Sequence, residues 1–271
     1  MPTKLPTIAC TTVELAFLAS LLGADSLIGV PDPFAGWSGD AVEEAWEEVR
    51  RALAERRLVT LQSDGAVSIE TSVAELVGTC GFAEATFMLT YTAADGTAAG
   101  HHFHVIRHSA VELVLSHETV LTCQLSGVDT ATVLDRVTEI FRLGDQGAPC
   151  VPNGRLTEAS LRAARLLAEE SGPAAAGELL ETVGLCRETA AALAGSLARP
   201  LGSGALVAIA SDQSDAGVDG LALLEGENGL WLLRNVHEGN ARWVDVVPCT
   251  AEGLRYFIRS IMNRALPGKL I

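Results

Sequence analysis

The pattern of hydrophobic and polar positions repeats along the chain. Residues 86–142 and residues 204–264 each read as four short strands followed by an amphipathic helix. The first strand alternates most clearly, with apolar Phe87, Leu89 and Tyr91 separated mainly by threonines. A period of two is typical of a strand with one buried face. About three helical stretches precede each block, so the pattern predicts two similar α+β units in tandem.

Short turns separate the predicted strands. Asp95-Gly96 follows the first strand, and Glu227-Asn228-Gly229 and Glu238-Gly239-Asn240 lie in the second block. Connections this short join antiparallel neighbours, so each block is predicted to form an antiparallel meander. The predicted strands cover residues 86–92, 100–107, 110–116 and 119–125, and then 204–210, 219–225, 229–236 and 241–247. The closing helices are predicted over residues 129–142 and from Thr250 onward.

Capping signals place the starts of several helices. Thr11 and Glu14 have the spacing of a capping box. Ser72 is predicted to cap a short helix together with Glu75, which follows a small hairpin at Ser63-Asp64-Gly65. Two further helices are predicted near residues 174–183 and 186–198. The predicted helix starts are Thr11, Asp40, Ser72, Thr157 and Thr250.

These elements predict an α+β protein with two pseudo-symmetric halves. Each half has helices followed by a four-stranded antiparallel meander and a closing helix. The stretch from Gly144 to Gly154 is rich in glycine and proline and is the best linker candidate. The halves are therefore predicted to be residues 1–147 and 148–271. The alternative is one continuous pseudo-twofold domain.

The composition narrows the class of protein. A chain of 271 residues that is 48% hydrophobic can bury a sizeable core. Its formal net charge of −15 argues against nucleic-acid and membrane partners, because phosphate backbones and anionic lipids repel it. No run of about 18 apolar residues and no signal-peptide pattern are present, so we expect a cytoplasmic protein. The six cysteines are widely spread and include no C-x-x-C pair, which is typical of reduced thiols.

No nucleotide-binding or nucleophile motif stands out. The chain lacks G-x-x-x-x-G-K-[ST], G-x-G-x-x-G and a G-x-S-x-G elbow. A helix followed by a hairpin is also found in winged-helix DNA-binding proteins. Here the candidate recognition helix carries a run of acidic residues, which argues against DNA binding. These residues are Glu43, Glu44, Glu47 and Glu48.

The sharpest local cluster is His101, His102 and His104. On a strand, His102 and His104 point to the same face, and His108 or His117 could add a third ligand from the next turn. A catalytic metal requires about three protein ligands and an open position, so a metal-dependent enzyme is one hypothesis. The alternative is a set of half-exposed strand histidines without a ligand, opposite an apolar face.

A second candidate for cation binding is acidic. Asp212, Asp215 and Asp219 follow a predicted strand. Their loop lacks the twelve-residue calcium pattern that ends in a glutamate. A solvated acidic hairpin loop is therefore the better interpretation.

Residues 174–198 are rich in alanine and carry few charges. Small side chains allow helices to approach closely, either within this chain or against a partner helix. Both interpretations stay open, because extra apolar surface would mark a binding patch only if it is exposed.

Segments at the two ends of the chain resemble a known family. Arg51–Val59, followed by Asp64-Gly65-Ala66-Val67, is similar to the N-terminal segment of the EspG family, chaperones associated with ESX (type VII) secretion in actinobacteria. Arg57 stands where that family usually has glycine. Gly229–Arg234 and Trp243–Pro248, with the final helix, resemble its closing strands and helix. The histidine strand and the Asp32-Pro33-Phe34 loop take no part in the resemblance.

The resemblance implies a cytosolic, non-enzymatic protein with a quasi-twofold fold of antiparallel sheet and flanking helices. Members of the family hold the apolar helical tip of secreted PE–PPE heterodimers until export. The leading hypothesis is therefore a chaperone or adaptor that binds an apolar helical protein partner through surface fit and needs no cofactor. The alternatives are a metal-dependent enzyme that uses His102 and His104, and a structural homodimer. The sequence assigns no catalytic or partner-binding residue.

Overall fold

The computed structural model describes residues 6–107, 109–116, 122–142, 147–211, 218–238 and 241–266. Its helices are α1 (Thr12–Leu21), α2 (Gly39–Glu55), α3 (Thr71–Gly81), α4 (Val133–Ile140), α5 (Glu158–Ser171), α6 (Pro173–Thr182), α7 (Arg187–Ala198) and α8 (Ala251–Ala265). Its first strands are β1 (Thr7–Thr11), β2 (Val59–Leu61), β3 (Val67–Ile69), β4 (Ala85–Ala93), β5 (Ala98–Ile106) and β6 (Ser109–Ser116). The remaining strands are β7 (Thr122–Asp129), β8 (Gly154–Thr157), β9 (Gly202–Ala210), β10 (Val218–Gly226), β11 (Gly229–Glu238) and β12 (Ala241–Cys249).

Ten of these strands form one antiparallel sheet, in the order β1-β7-β6-β5-β4-β9-β10-β11-β12-β8. The α+β class and the antiparallel order of both predicted meanders are confirmed. Residues 119–121 of the fourth predicted strand lie outside the described residues, and β7 continues to Asp129, so α4 begins later than the predicted residue 129. Each meander also gains an edge strand that the sequence analysis did not predict, β1 in one half and β8 in the other. Read from either edge, each half contributes an edge strand followed by its meander in reverse chain order. The geometric superposition of the two halves stays a prediction.

The halves meet through the β4–β9 pair, in which Phe87 lies opposite Ala208 and Leu89 opposite Leu206. Both halves therefore share one continuous sheet. The boundary between residues 147 and 148 stays a prediction, and residues 143–146 of the proposed linker lie outside the described residues.

One face of the sheet packs against α4 and α8. Phe87 and Leu89 from β4, Leu206 from β9 and Ile258 from α8 are fully buried there, together with Phe141 at the end of α4. Full burial of an apolar side chain of this size contributes roughly 1.5–3 kcal/mol. This cluster is the central core of the molecule.

The opposite face carries two helical layers, one at each end. At one end, α1 and α3 pack over Val111, Leu113 and Leu125, and α2 packs on α1. At the other end, α5, α6 and α7 cover Trp231 and Val244. The helical layers leave the middle of this face open.

Local signals fix most helix starts. In α1, the Glu14 N–H donates to Thr11 Oγ1 at 3.1 Å and the Thr11 N–H donates to Glu14 Oε2 at 2.8 Å, so the capping box is confirmed. Thr157 and Thr250 also cap their helices as predicted. The assignment of Ser72 is wrong, because Glu70 is the N-cap and its carboxylate accepts from the Val73 N–H.

The start of α2 also differs from the prediction, since its N-cap is Ser38, two residues before Asp40. Ser38 Oγ accepts from the Ala41 N–H, which satisfies one of the unpaired donors of the first turn. Across the described ranges, none of the helices combines the length and the apolar character needed to cross a membrane.

Candidate functional site

The histidine cluster lies on β5, beneath the first helical layer. His102 is 6% exposed and His104 is 0% exposed, so the alternative expectation of half-exposed histidines is wrong for these two. The reason is tertiary, because α3 packs over this part of the sheet and Gly29 lies against the His102 ring. The ring centroids of His102 and His104 are 6.4 Å apart, and His104 Nδ1 lies 3.2 Å from Thr86 Oγ1.

Burial favours the neutral form of both imidazoles, because it disfavours the charged one. Burial, reinforced by the neighbouring His102, lowers the pKa of His104 to about 3. Burial, reinforced by His101, also lowers the pKa of His102. Within the ranges that the structure describes, no group of three or more His, Cys, Asp or Glu is placed to hold a metal ion. His108 and His117, the suggested third ligands, lie outside the described residues.

His101 points to the opposite face and belongs to an ionic cluster. Its Nδ1 lies 2.7 Å from Glu112 Oε1, and Arg136 Nη2 of α4 lies 3.1 Å from the same oxygen. Burial raises the pKa of Glu112, but the hydrogen bonds from His101 and Arg136 outweigh it and hold this pKa below its usual range. The cluster fastens α4 to the sheet, which is a structural role.

The acidic loop is described only at its end. Asp219 Oδ2 lies 2.8 Å from Arg264 Nε of α8, so this carboxylate is engaged in an ion pair with the closing helix. Asp212 and Asp215 lie outside the described residues. The interpretation as a solvated acidic loop stays a prediction.

The alanine-rich segment forms α6 and α7, which pack together in the second helical layer. Ala176, Ala190 and Ala194 are fully buried, so their role in the core is confirmed. A Cβ atom on Gly177 would lie 3.8 Å from Ala194 Cβ, which shows how closely the two helices approach. Ala174 and Ala191 are exposed, and a partner interface on this outer side stays a hypothesis.

The open middle of the sheet is the strongest candidate for a binding surface. Thr90 and Thr92 of β4 are exposed although their strand lies at the centre of the sheet. Ser203 lies opposite Thr92, and Ala222 of β10 follows on the same face; both are half-buried. We call this strip and the cavity beside it the central groove. The side chains of the strip itself are small, so another chain can approach the sheet closely there.

The second helical layer forms one wall of the central groove. Leu161 of α5 and Leu197 of α7 face a cavity of about 420 Å³, whose floor includes Ala222, Leu224 and Leu233. This wall and floor are largely apolar. A cavity of this size holds a few large apolar side chains and not a whole helix, so it suits the exposed face of a helical partner.

Two ion pairs line the rim of the central groove. Arg162 Nη2 lies 2.6 Å from Glu158 Oε1, and Arg165 Nε lies 3.1 Å from Glu169 Oε1. The arginine side chains are 71% and 67% exposed, so each pair contributes only about 0–1 kcal/mol to stability. Both arginines can therefore turn toward a bound partner at little cost.

Sequence reasoning did not find this groove. The polar alternation at Thr90 and Thr92 was visible, and it marked a face that is not fully buried. The position of that face between two helical layers depends on the β4–β9 pair, which joins residues more than 100 positions apart in the chain. No local pattern encodes that pairing.

Comparison with known proteins rests on structure. No protein-family model matches the sequence, and no curated protein matches it. Two crystal structures of HtdX (Rv0241c) from Mycobacterium tuberculosis match with 17% and 16% identity, over 91% and 89% of this chain and 99% and 98% of those chains. Their TM-score of 0.15 is too low for a common fold, so they carry no argument about this protein.

The chain also matches the Mycobacterium tuberculosis type VII secretion system chaperone EspG5, solved in complex with the PE25–PPE41 dimer. It covers 98% of this chain and 99% of that chain, with a TM-score of 0.65 and 15% identity. At this identity the likeness concerns the fold, and it extends over nearly the whole of both chains. The chain therefore has the α+β fold of the EspG5 chaperone, as the resemblance to the EspG family implied.

Proposed function

We propose that this protein is a non-enzymatic secretion chaperone that holds the apolar helical end of a PE–PPE-type heterodimer in its central groove. The observation that carries the proposal is the exposed position of Thr90 at the centre of the sheet, beside the small, half-buried Ala222, in a fold that matches EspG5 over 98% of this chain. The EspG5 structure contains a PE25–PPE41 dimer, which supports a partner of the same class here.

The central groove fits such a partner for physical reasons. Large apolar side chains of a helix can enter the cavity beside Leu161 and Leu197, while the flat floor meets the helix backbone. Apolar area removed from water contributes roughly 25 cal/mol per Å², and a few large anchors account for most of the affinity in such interfaces. A helical end kept in this groove would be shielded from self-association before export.

The test is co-purification with defined partners. The chain is expressed with a panel of PE–PPE heterodimers, including PE25–PPE41, and separated by size exclusion with light scattering. We expect a stable complex of one chaperone and one heterodimer for at least one pair. Failure of every pair to bind contradicts the proposed function. A dimer of the chain alone would instead favour the structural homodimer.

A matched pair of variants tests the site. Thr90→Arg places a long charged side chain on the groove floor, whereas Thr60→Arg makes the same change at an exposed strand position on β2. We expect Thr90→Arg to weaken partner binding at least about tenfold and Thr60→Arg to bind like the unmodified protein. Equal binding by both variants would place the partner elsewhere.

A further inference from the structure

A second cavity lies in the first helical layer, and its lining residues are distant in sequence from those of the central groove. It has a volume of about 410 Å³ and lies between α1, the segment from Gly23 to Phe34, and α2. Its apolar lining includes Ala19, Leu27 and Val30, and the rings of Phe34 and Trp46. We call it the N-terminal pocket. It shares no lining residue with the cavity of the central groove.

The wall formed by residues 23–34 is held in place. Leu27 is 8% exposed and belongs to the core of the first helical layer. A Cβ atom on Gly81 of α3 would lie 2.7 Å from Ala24 Cβ, so this segment approaches α3 very closely. Gly29 lies against the ring of His102 on β5. These contacts make the N-terminal pocket a preformed cavity that need not be ordered by its ligand.

The aromatic lining is also positioned by specific contacts. Asp32 Oδ1 accepts a hydrogen bond from the Phe34 N–H at 2.9 Å, which fixes the turn that presents the Phe34 ring. The centroids of Phe34 and Trp46 are 6.2 Å apart at an interplanar angle of 70°. Trp46 packs in turn on Phe17 of α1, with centroids 5.7 Å apart. Two aromatic side chains thus form adjacent parts of one cavity.

Two carboxylates lie in the lining of the pocket, because Asp25 and Asp32 both belong to it and are exposed. On α2, Glu43 lies one helical turn before Trp46 and is also exposed. Carboxylates around aromatic rings favour a cation, because the ring face and the negative potential both attract positive charge. The same potential repels carboxylate, phosphate and anionic lipid groups.

We propose that the N-terminal pocket is a docking point for a cationic side chain, an arginine or lysine flanked by apolar residues, on a protein partner. The stem of such a side chain packs on Leu27, Val30 and Phe34. Its charged head lies between Trp46 and the carboxylates of Asp25 and Asp32. This contact is independent of the proposed function, since it uses a different surface of the molecule.

The test uses two acetylated and amidated heptapeptides. One has the sequence Ala-Ala-Leu-Arg-Leu-Ala-Ala, and the other has citrulline, a neutral isostere, in place of arginine. Binding is measured by calorimetry at low salt and followed by NMR at the indole N–H signals. We expect the arginine peptide to bind at least about tenfold more tightly and to shift the Trp46 signal, with affinity falling as salt is added.

Paired variants distinguish binding in the N-terminal pocket from attraction of the peptide to the overall negative charge of the protein. Asp25→Asn with Asp32→Asn removes two charges from the pocket and keeps an amide oxygen that can cap the turn at Phe34. The control is Asp64→Asn with Asp95→Asn, two exposed aspartates that cap turns in the same way elsewhere. We expect about a tenfold loss of arginine-peptide affinity in the first double variant and none in the control.

Equal binding of the two peptides, equal affinity of the two double variants, or no binding at millimolar peptide would each overturn the proposal. A shift confined to the Trp231 or Trp243 signal would also contradict it, because neither residue lines the pocket. Loss of PE–PPE binding in the preceding experiment would leave these outcomes unchanged, so the two proposals fail separately.

Discussion

Gly29 lies directly against the imidazole of His102. A Cβ atom on Gly29 would be 2.5 Å from both Nδ1 and Cε1 of the ring, a distance that real side chains do not reach. Gly29 also has a φ of +80°, which non-glycine residues adopt only at a cost. The contact joins a wall of the N-terminal pocket to β5, so the buried histidine and the pocket are parts of one packed unit.

The first prediction is that Gly29→Ala destabilises the protein by about 2–4 kcal/mol. Roughly 1–2 kcal/mol comes from the positive φ and the rest from the clash with His102. Urea denaturation measures the change in the free energy of unfolding. Gly36→Ala is the control, because Gly36 has a φ of +83° and open space where the Cβ would lie. An equal loss in the free energy of unfolding for the two variants would show that the His102 ring moves away from the added Cβ atom without cost.

The second prediction concerns acid stability. The pKa of His104 is about 3 in the folded protein and about 6.5 in the unfolded chain. The unfolded state therefore binds more protons below pH 6.5, and the stabilisation present above that pH is lost as the pH falls toward 3. Between pH 7.5 and pH 5, His104 alone should reduce the free energy of unfolding by about 2 kcal/mol. The lowered pKa of His102 acts in the same direction.

His104→Gln tests this assignment. The variant lacks the titrating ring. The drop in its free energy of unfolding between pH 7.5 and pH 5 should therefore be about 2 kcal/mol smaller than the drop in the unmodified protein. Urea titrations at both pH values give the comparison, whatever the absolute stability of the variant. Carboxylates contribute little in this range, because most of them titrate near pH 4. The same pH dependence in both proteins would mean that His104 is not the group responsible.

The third prediction concerns the ionic cluster at Glu112. Glu112→Gln should destabilise the protein by about 1–3 kcal/mol, because a buried, doubly hydrogen-bonded carboxylate loses its charge beside His101 and Arg136. Glu139→Gln is the matched control. Glu139 also pairs with Arg136, at 2.8 Å, but its side chain is 62% exposed, so its loss should cost less than about 1 kcal/mol. Thermal or urea unfolding distinguishes the two, and a larger cost at Glu139 would contradict this account.

The fourth prediction concerns the second helical layer. The buried Trp231 Nε1–H donates to Ser196 Oγ at 3.0 Å, so Ser196→Ala leaves this donor without its acceptor and should cost about 1–3 kcal/mol. Ser20→Ala removes a similar hydroxyl from an exposed helix position and should change stability by less than about 0.5 kcal/mol.

A double-mutant cycle completes this test. Trp231→Phe removes the donor as well, so the loss from Ser196→Ala should shrink in that background. Additive losses in the double variant would show that the hydrogen bond contributes nothing of its own.

The helix starts that the sequence predicted correctly depend on interactions between residues close together in the chain. The caps at Thr11, Thr157 and Thr250 depend on residues three positions apart, and the structure has them as expected. Ser72 and Glu75 have capping-box spacing, but the N-cap is Glu70, whose carboxylate accepts from the Val73 N–H three residues later and from the Ser72 hydroxyl. The edge strands β1 and β8 are short and partly polar, and their pairing partners are distant in the chain. Their sequence pattern is therefore weak.

Tertiary packing accounts for what the sequence did not predict. His102 and His104 alternate with Phe103, a pattern typical of the solvent-exposed face of a strand, but α3 and the segment around Gly29 cover them. Thr90 has the same alternation and stays exposed, because no helix packs over it in the described structure. The difference between these positions on neighbouring strands lies in elements far away in the chain.

The pairing of β4 with β9 has a mechanical consequence. Nine consecutive residue pairs, from Ala85–Ala210 to Ala93–Gly202, cross the boundary between the two halves. A hinge motion at this seam that separated the two helical layers would break amide–carbonyl hydrogen bonds of the ladder, and the cost of breaking them opposes the motion. If the proposed function holds, a partner therefore meets a central groove whose two sides are already joined by this ladder, and its fit depends on its own shape.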